Sequence, residues 1–195
     1  MKLRTQIVGL GLVGVVMAAM VGGVGLFNSI RLSDAFEESI NTNLALSKSQ
    51  EADMMHDAIR GDVLLTLLSA QKGDAAGKAE AEKDLKEHSD NFSKNIAEMQ
   101  ALPISDEVKS IAAKTAPLVN AYIDSAVQVQ DLAKKDLASA EAAVPKFQKA
   151  FKDLEAAMEQ QGEAISKNVE AYSTKTTALA ARSKFFDEID DREAT

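Results

Sequence analysis

The chain has 195 residues, ten Gly, three Pro, no Cys and a formal net charge of −8. The small number of turn-forming residues argues against an all-β fold, and the absence of Cys excludes a disulfide framework, a thiolate zinc site and an iron–sulfur cluster. The negative charge argues against a nucleic-acid-binding module, which would carry a basic patch. What remains is the Ala-, Leu-, Lys- and Glu-rich composition that is typical of long helices.

An apolar segment opens the chain. Residues 7–27 contain no charged side chain. At a rise of ~1.5 Å per residue, a helix of this length crosses a hydrocarbon layer of ~30 Å. A cleaved signal peptide is the alternative, but its apolar region usually covers only about 7–15 residues. The sequence therefore predicts an uncleaved membrane anchor.

The charges on the two sides of this anchor differ in sign, with Arg31 as the one exception. Basic residues precede it, and acidic residues follow it after Arg31: Lys2 and Arg4 before, Asp34, Glu37 and Glu38 after. By the positive-inside rule, we expect the N-terminus in the cytoplasm and the chain beyond residue 30 on the periplasmic side of the inner membrane.

Small residues recur at steps of three and four within the anchor. They are Gly11, Gly14, Ala18, Gly22 and Gly25. Such a stripe lets two membrane helices pack closely, so it is a candidate packing face for a second copy. The alternative is chance, because Gly is frequent in membrane helices.

The residues after the anchor predict two helices joined by a tight turn. The first covers residues 29–70, with apolar positions at steps of three and four: Ile40, Leu44, Met54, Ala58, Leu65 and Leu68. Residues 71–74 form a stop signal in which Gly73 suits the left-handed position. The second helix is expected near residues 78–101, with one inner side: Leu85, His88, Phe92, Ile96 and Met99.

Two further helices follow. Ser105 is a suitable N-cap for the third, whose apolar face runs from Val108 to Ala133, and Pro117 predicts a kink within it. The fourth helix keeps one apolar face from Ala140 to Leu179. Short connections make neighbouring helices antiparallel. The predicted fold class is all-α, with an N-terminal transmembrane helix that continues into an up-down-up-down four-helix bundle.

The chain lacks a recognisable catalytic constellation. Its two histidines, His56 and His88, lie in neither a His-x-x-x-His nor a Glu-x-x-His pairing, so we expect no metal site. There is no Gly-x-Ser-x-Gly elbow and no Gly-rich phosphate loop. We therefore expect neither an enzyme nor a cofactor.

One segment is more polar than a bundle helix requires. Within residues 53–64, His56 and Arg60 lie four apart, and Asp57 and Arg60 lie three apart, so these side chains can meet on one helix. One interpretation is a salt network along the helix, with His56 at the edge of the core. The other is a solute site, because a guanidinium binds a carboxylate in a paired contact.

This segment resembles a known family. It reads MMHDAIRGDVL over residues 54–64, follows a membrane anchor and precedes a Gly-Asp turn, as in the sensory half of bacterial methyl-accepting chemotaxis receptors. Residues 143–155 are similar to the fourth bundle helix of that family. The resemblance covers residues 2–181 and implies a cytoplasmic N-terminus and anchor (residues 1–30), a periplasmic sensory bundle (31–181) and an acidic tail (182–195).

The resemblance also implies function. Receptors of this family are homodimers that detect a small solute at the dimer interface, where arginines of the first helix hold the ligand. Arg60 is the position here that matches such an arginine. The family has a second membrane helix and a cytoplasmic signalling domain, whereas residues 182–195 are too polar and too short to span. We therefore expect a truncated receptor, a fragment, or a sensor half that pairs with a full-length chemoreceptor.

Counting residues from the turns suggests the partners of Arg60. Arg60 lies about 15 Å below the membrane-distal end of the bundle, at the level of Phe147, Gln148 and Lys149 on the fourth helix. The candidate ligand-binding residues are therefore His56, Arg60, Gln148 and Lys149, although Asp57 and Asp62 would favour a cationic or zwitterionic ligand. The alternative function is an anchored structural or protein-interaction bundle without a small-molecule site.

Overall fold

A computed structural model describes the backbone of residues 2–193 and the side chains of residues 12, 14–20 and 22–181. Within this backbone there are four α-helices and no strand: α1 (Lys2–Lys72), α2 (Ala75–Ala101), α3 (Asp106–Ala133) and α4 (Leu137–Glu193). The connections are only two to four residues long, as expected between antiparallel neighbours. The predicted all-α four-helix bundle is confirmed.

The chain divides into two compact units, Asn41–Val169 and Met1–Ile40 with Glu170–Thr195. The first contains α2, α3 and the adjoining parts of α1 and α4, which share one hydrophobic core. In the second, α1 and α4 are linked by an ion pair of 2.7 Å between Lys175 and Glu38. There Ala35 is fully buried, and its carbonyl accepts a bond from the Thr176 hydroxyl.

The inner faces of α2, α3 and α4 follow the heptad-like spacing of the sequence. On α2 and α3 the largest fully buried side chains are Leu85, Phe92, Met99, Val108, Val119, Tyr122 and Val129. On α4 they are Phe147, Phe151, Leu154, Met158, Gln161 and Ile165. The sequence prediction for the inner faces of these three helices is confirmed up to Ile165, except that His88 is only partly buried; the predicted face of α4 from Val169 to Leu179 is also only partly buried.

The predicted inner face of α1 is wrong. Ile40, Leu44, Met54 and Leu68 are 45–59 % exposed. The face that enters the core instead carries mostly small or polar residues: Ala45, Ser49, Ala52, His56, Ile59, Val63 and Thr66. Small side chains let α1 pack closely against its neighbours, and the more apolar stripe is left facing outward.

The turn between α1 and α2 is built by two adjacent residues. Gly73 adopts a φ of 66°, the left-handed conformation that the sequence predicts at this position. The Asp74 carboxylate then accepts bonds from the backbone N–H groups of Ala76 and Gly77 at 3.1 and 3.0 Å. Because Asp74 caps the helix, α2 begins at Ala75, three residues earlier than the sequence pattern predicts.

The remaining turns also end in capping side chains. The Ser105 hydroxyl accepts from the Val108 N–H at 3.4 Å, which confirms Ser105 as the N-cap of α3. Asp136 accepts from the Ser139 N–H at 2.7 Å before the first turn of α4. Pro117 lies inside α3 without ending the helix. The kink at Pro117 stays a prediction.

We expect Asp74→Ala to lower the free energy of unfolding by about 1 kcal/mol, because it removes the acceptor for two otherwise unpaired N–H groups. Urea unfolding of the full chain in detergent, followed by circular dichroism, measures the change. Asp74→Asn keeps a capping oxygen and is the matched control. Equal losses in both variants would show that capping is not the source of the effect.

Candidate functional site

His56 lies in the core, although the sequence makes it a candidate ligand-binding residue. It is 2 % exposed. Its Nε2–H donates to the backbone carbonyl of Phe151 at 3.2 Å, and its own carbonyl accepts from the Tyr122 hydroxyl at 2.8 Å. His56 therefore links α1 to both α3 and α4, and a solute cannot reach its ring in this arrangement.

Aromatic side chains from the other three helices surround this imidazole. The Phe151 ring stacks on it with centroids 4.1 Å apart, and Tyr122 and Phe92 follow at 4.9 and 6.5 Å. Phe147 stacks on Tyr122 at 5.3 Å. Burial in this apolar cluster lowers the pKa of His56, although the nearby Asp57, Asp53 and Glu155 carboxylates oppose the shift. The ring is therefore neutral at pH 7.

Arg60 lies at the surface one turn beyond His56. Its guanidinium carbon is 4.6 Å from the centroid of the Phe151 ring, a cation–π contact. Among the described residues, no ion pair joins Arg60 to Asp57 or to any other carboxylate, so the salt network expected along this segment does not form. Arg60 is exposed to solvent.

The candidate partners on α4 are exposed. Gln148 and Lys149 lie on the outer surface, where Lys149 forms an ion pair with Asp153 one turn away. Phe151, and not residues 147–149, is the part of α4 that contacts Arg60. The level estimated from residue counting is thus off by about one helical turn. The structure brings together Arg60, Phe151 and His56 but adds no contact from Gln148 or Lys149 to Arg60.

Asp62 forms a buried pair that sequence reasoning missed. It is 6 % exposed, and its carboxylate accepts from His88 Nδ1 across 2.7 Å between α1 and α2. Burial raises the pKa of Asp62, and the bond from His88 partly offsets that shift. Asp62 is therefore a packing residue with a partner, and not a surface acid that would repel an anionic ligand.

A groove of about 440 Å³ lies between α1 and α4 within the unit Asn41–Val169. Three carboxylates line it, Asp53 from α1 and Glu155 and Glu159 from α4, and no basic residue is among the described residues lining it. Leu46 and Met158 supply apolar wall. The acids that line this groove come from segments about a hundred positions apart, so sequence spacing gave no signal for it.

The small-residue stripe of the anchor is open in the single chain. An added Cβ at Gly14, Gly22 or Gly25 would meet no atom within 4 Å, and Ala18 is exposed. Gly11 lies outside the residues whose side-chain surroundings are described. Packing against a second copy through this stripe stays a prediction.

The described residues contain one helix that is long and apolar enough to cross a membrane, close to the N-terminus, and none of its most apolar window is buried. Among the described residues, no group of three or more His, Asp or Glu is placed to hold a metal ion. This apolar segment continues directly into the part of α1 that belongs to the helical bundle.

The sequence matches a known family. Residues 1–183 match the family described as the four helix bundle sensory module for signal transduction, and the chain belongs to that family. This is a signal-transduction family and not an enzyme family. No curated protein matches the chain.

The burial of His56 predicts a pH dependence of stability. The unfolded chain protonates an imidazole near an ordinary pKa of about 6.5, whereas the folded pKa of His56 is lower. Above about pH 6.5 the His56 imidazole is neutral in both the folded and the unfolded chain. As the pH falls below this value, the unfolded chain binds the proton first, so the folded state loses stability relative to it.

We therefore expect the melting temperature of the full chain to fall as the pH is lowered from about 7.5 to 5.5. The melting temperature of His56→Leu should fall less over the same range. Thermal unfolding followed by circular dichroism measures both. An equal fall in the two proteins would mean that His56 does not carry the dependence.

Proposed function

We propose that the chain is a membrane-anchored periplasmic sensory module that recognises a small solute as a homodimer. Membership in the sensory-module family supports the sensory role. The structural observation that carries the proposal is the outward apolar stripe of α1.

That stripe keeps the spacing of a helix that pairs with another helix. Leu44, Met54 and Leu68 are 45–58 % exposed along it. Gly61 lies between them, and a Cβ added there would meet no atom within 4 Å. Apolar residues at steps of three and four along an exposed helix are typical of a seam that a second helix covers.

A second copy of the chain is the occupant that the charges favour. In a parallel two-fold pair, each position of the seam meets its own copy, so charged positions would repel. The stripe avoids this, because its one acidic position, Glu51, is already paired with Lys48 at 2.9 Å. Apolar side chains therefore meet apolar side chains along the seam.

The charges around the anchor support the orientation. Lys2 and Arg4 precede the apolar segment, and Asp34, Glu37 and Glu38 outnumber the single basic Arg31 that follows it. By the positive-inside rule, this asymmetry favours a cytoplasmic N-terminus and a periplasmic bundle in the inner membrane. A full-length chemoreceptor is a further partner that such a module would join.

Arg60 is the exposed residue best suited to an acidic solute. Its guanidinium rests on Phe151, which orients the fork, and its N–H groups have no carboxylate partner among the described residues. A paired contact to a ligand carboxylate uses this geometry directly. Gln148 and Lys149 stay candidate contacts on the neighbouring surface.

Thermal shift of the full chain in uncharged detergent against a panel of organic acids, amino acids and sugars tests the sensory role. We expect a member of the panel to raise the melting temperature with the logarithm of its concentration. If the solute is an acid bound by Arg60, Arg60→Lys weakens binding by about 1.5–3 kcal/mol without lowering the unliganded melting temperature. A panel without any shift favours the structural or interaction bundle.

A further inference from the structure

We infer that a cavity between α1, α2 and α3 is a second solute site, which takes a small hydroxy acid. The cavity has a volume of about 270 Å³ and lies within the unit Asn41–Val169, at the end of the bundle where α2 begins and α3 ends. Its polar lining consists of Thr66, Lys78, Glu82, Gln130 and Lys134. A single chain supplies this lining and Arg60 is not part of it, so the site goes beyond the dimer site of the proposed function.

The Thr66 hydroxyl is the observation that points to a ligand. Thr66 is 3 % exposed, and its Oγ1 is buried without a hydrogen-bond partner among the described residues. A threonine inside a helix can bond the carbonyl four residues back, as Thr115 does with Ile111 at 3.1 Å. Thr66 makes no such bond, although it lies in the interior of α1. A buried hydroxyl without a partner is costly, and an acceptor on a ligand would remove that cost.

The charges of the cavity select an anion. The one acid in its lining, Glu82, is already paired with Lys134 at 2.8 Å, and Lys134 also pairs with Asp131 at 3.2 Å. Lys78 is half-buried and joins no ion pair among the described residues. Its ammonium group is therefore the charge that remains for a ligand carboxylate, and the Thr66 hydroxyl can donate to the same ligand.

The rest of the lining favours a short ligand that carries a hydroxyl group. Gln130 is 7 % exposed, and its Nε2 donates to the Ala81 carbonyl at 3.3 Å, so the amide oxygen is the acceptor that a ligand hydroxyl can use. Ala75, Ala79 and Ala133 supply apolar wall. The cavity is smaller than the ~300–1,000 Å³ typical of pockets for drug-sized ligands. A 2-hydroxy carboxylate with few heavy atoms, such as lactate, meets these conditions.

Thr66→Val distinguishes a ligand contact from a structural one. Valine has a similar shape and lacks the unpartnered hydroxyl, so we expect the unliganded melting temperature to be unchanged or raised, while lactate binding is weakened. A structural hydroxyl would give the opposite result, a lower melting temperature with unchanged affinity. The matched control is Thr115→Val, which removes a bonded hydroxyl outside the cavity and should leave the affinity for lactate unchanged.

Calorimetry of the full chain in uncharged detergent with lactate, propionate and lactamide tests the site. We expect lactate to bind more tightly than propionate, which lacks the hydroxyl, and than lactamide, which lacks the charge. Lys78→Gln weakens lactate binding at least about tenfold and Thr66→Val about fivefold, the losses expected for a charged and a neutral hydrogen bond. Lys135→Gln, at an exposed lysine of the same bundle end outside the cavity, changes affinity less than about twofold.

Each other outcome counts against the cavity. If wild type does not bind lactate, or binds propionate or lactamide equally well, the hydroxy-acid site is wrong. Equal losses in Lys78→Gln and Lys135→Gln would mean that lactate binds the basic surface in general. If Arg60→Lys abolishes binding while Lys78→Gln retains it, lactate binds at the dimer site instead. In each case the panel of acids, amino acids and sugars still decides the sensory function.

Discussion

His56 joins all four helices of the unit formed by residues 41–169. Its ring stacks on Phe151 of α4 and contacts Phe92 of α2 and Tyr122 of α3, while two hydrogen bonds fix its ring nitrogen and its carbonyl. A polar ring can occupy a core only when it is neutral and hydrogen-bonded, and both conditions are met here. The position of α1 against its neighbours depends on this contact, because most of its other inward side chains are small.

The small side chains on the inner face of α1 go together with an apolar stripe on its outer face. Ala45, Ser49 and Ala52 of α1 are buried in the bundle, whereas larger apolar residues such as Met54 and Leu68 are exposed. The groove lined by Leu46, Asp53 and Met158 is formed by α1 and α4 together.

The sequence predicts α2, α3 and α4 well because each has a single apolar face, so periodicity and burial coincide. It fails on α1 because that helix has two faces, and the more apolar of them is the one left outside. The sequence around His56 does not show whether its side chain is exposed or buried, because a histidine in a polar segment can occupy either position. The Asp62–His88 pair and the groove depend on which distant segments meet, which no local spacing encodes.

We propose that the outward stripe of α1 faces a second copy of the chain. Because the chain contains no Cys, a single Met54→Cys substitution under mild oxidation reports whether two copies of the chain meet at this position. A disulfide forms only when the two Cα atoms come within about 7 Å, as they do for a residue on a two-fold seam. Val127→Cys, at a 39 % exposed position on α3, is the matched control. We expect a covalent dimer of the full chain for Met54→Cys and none for Val127→Cys. Equal cross-linking of the two variants, or cross-linking of Val127→Cys alone, would contradict a seam formed by the outward stripe of α1.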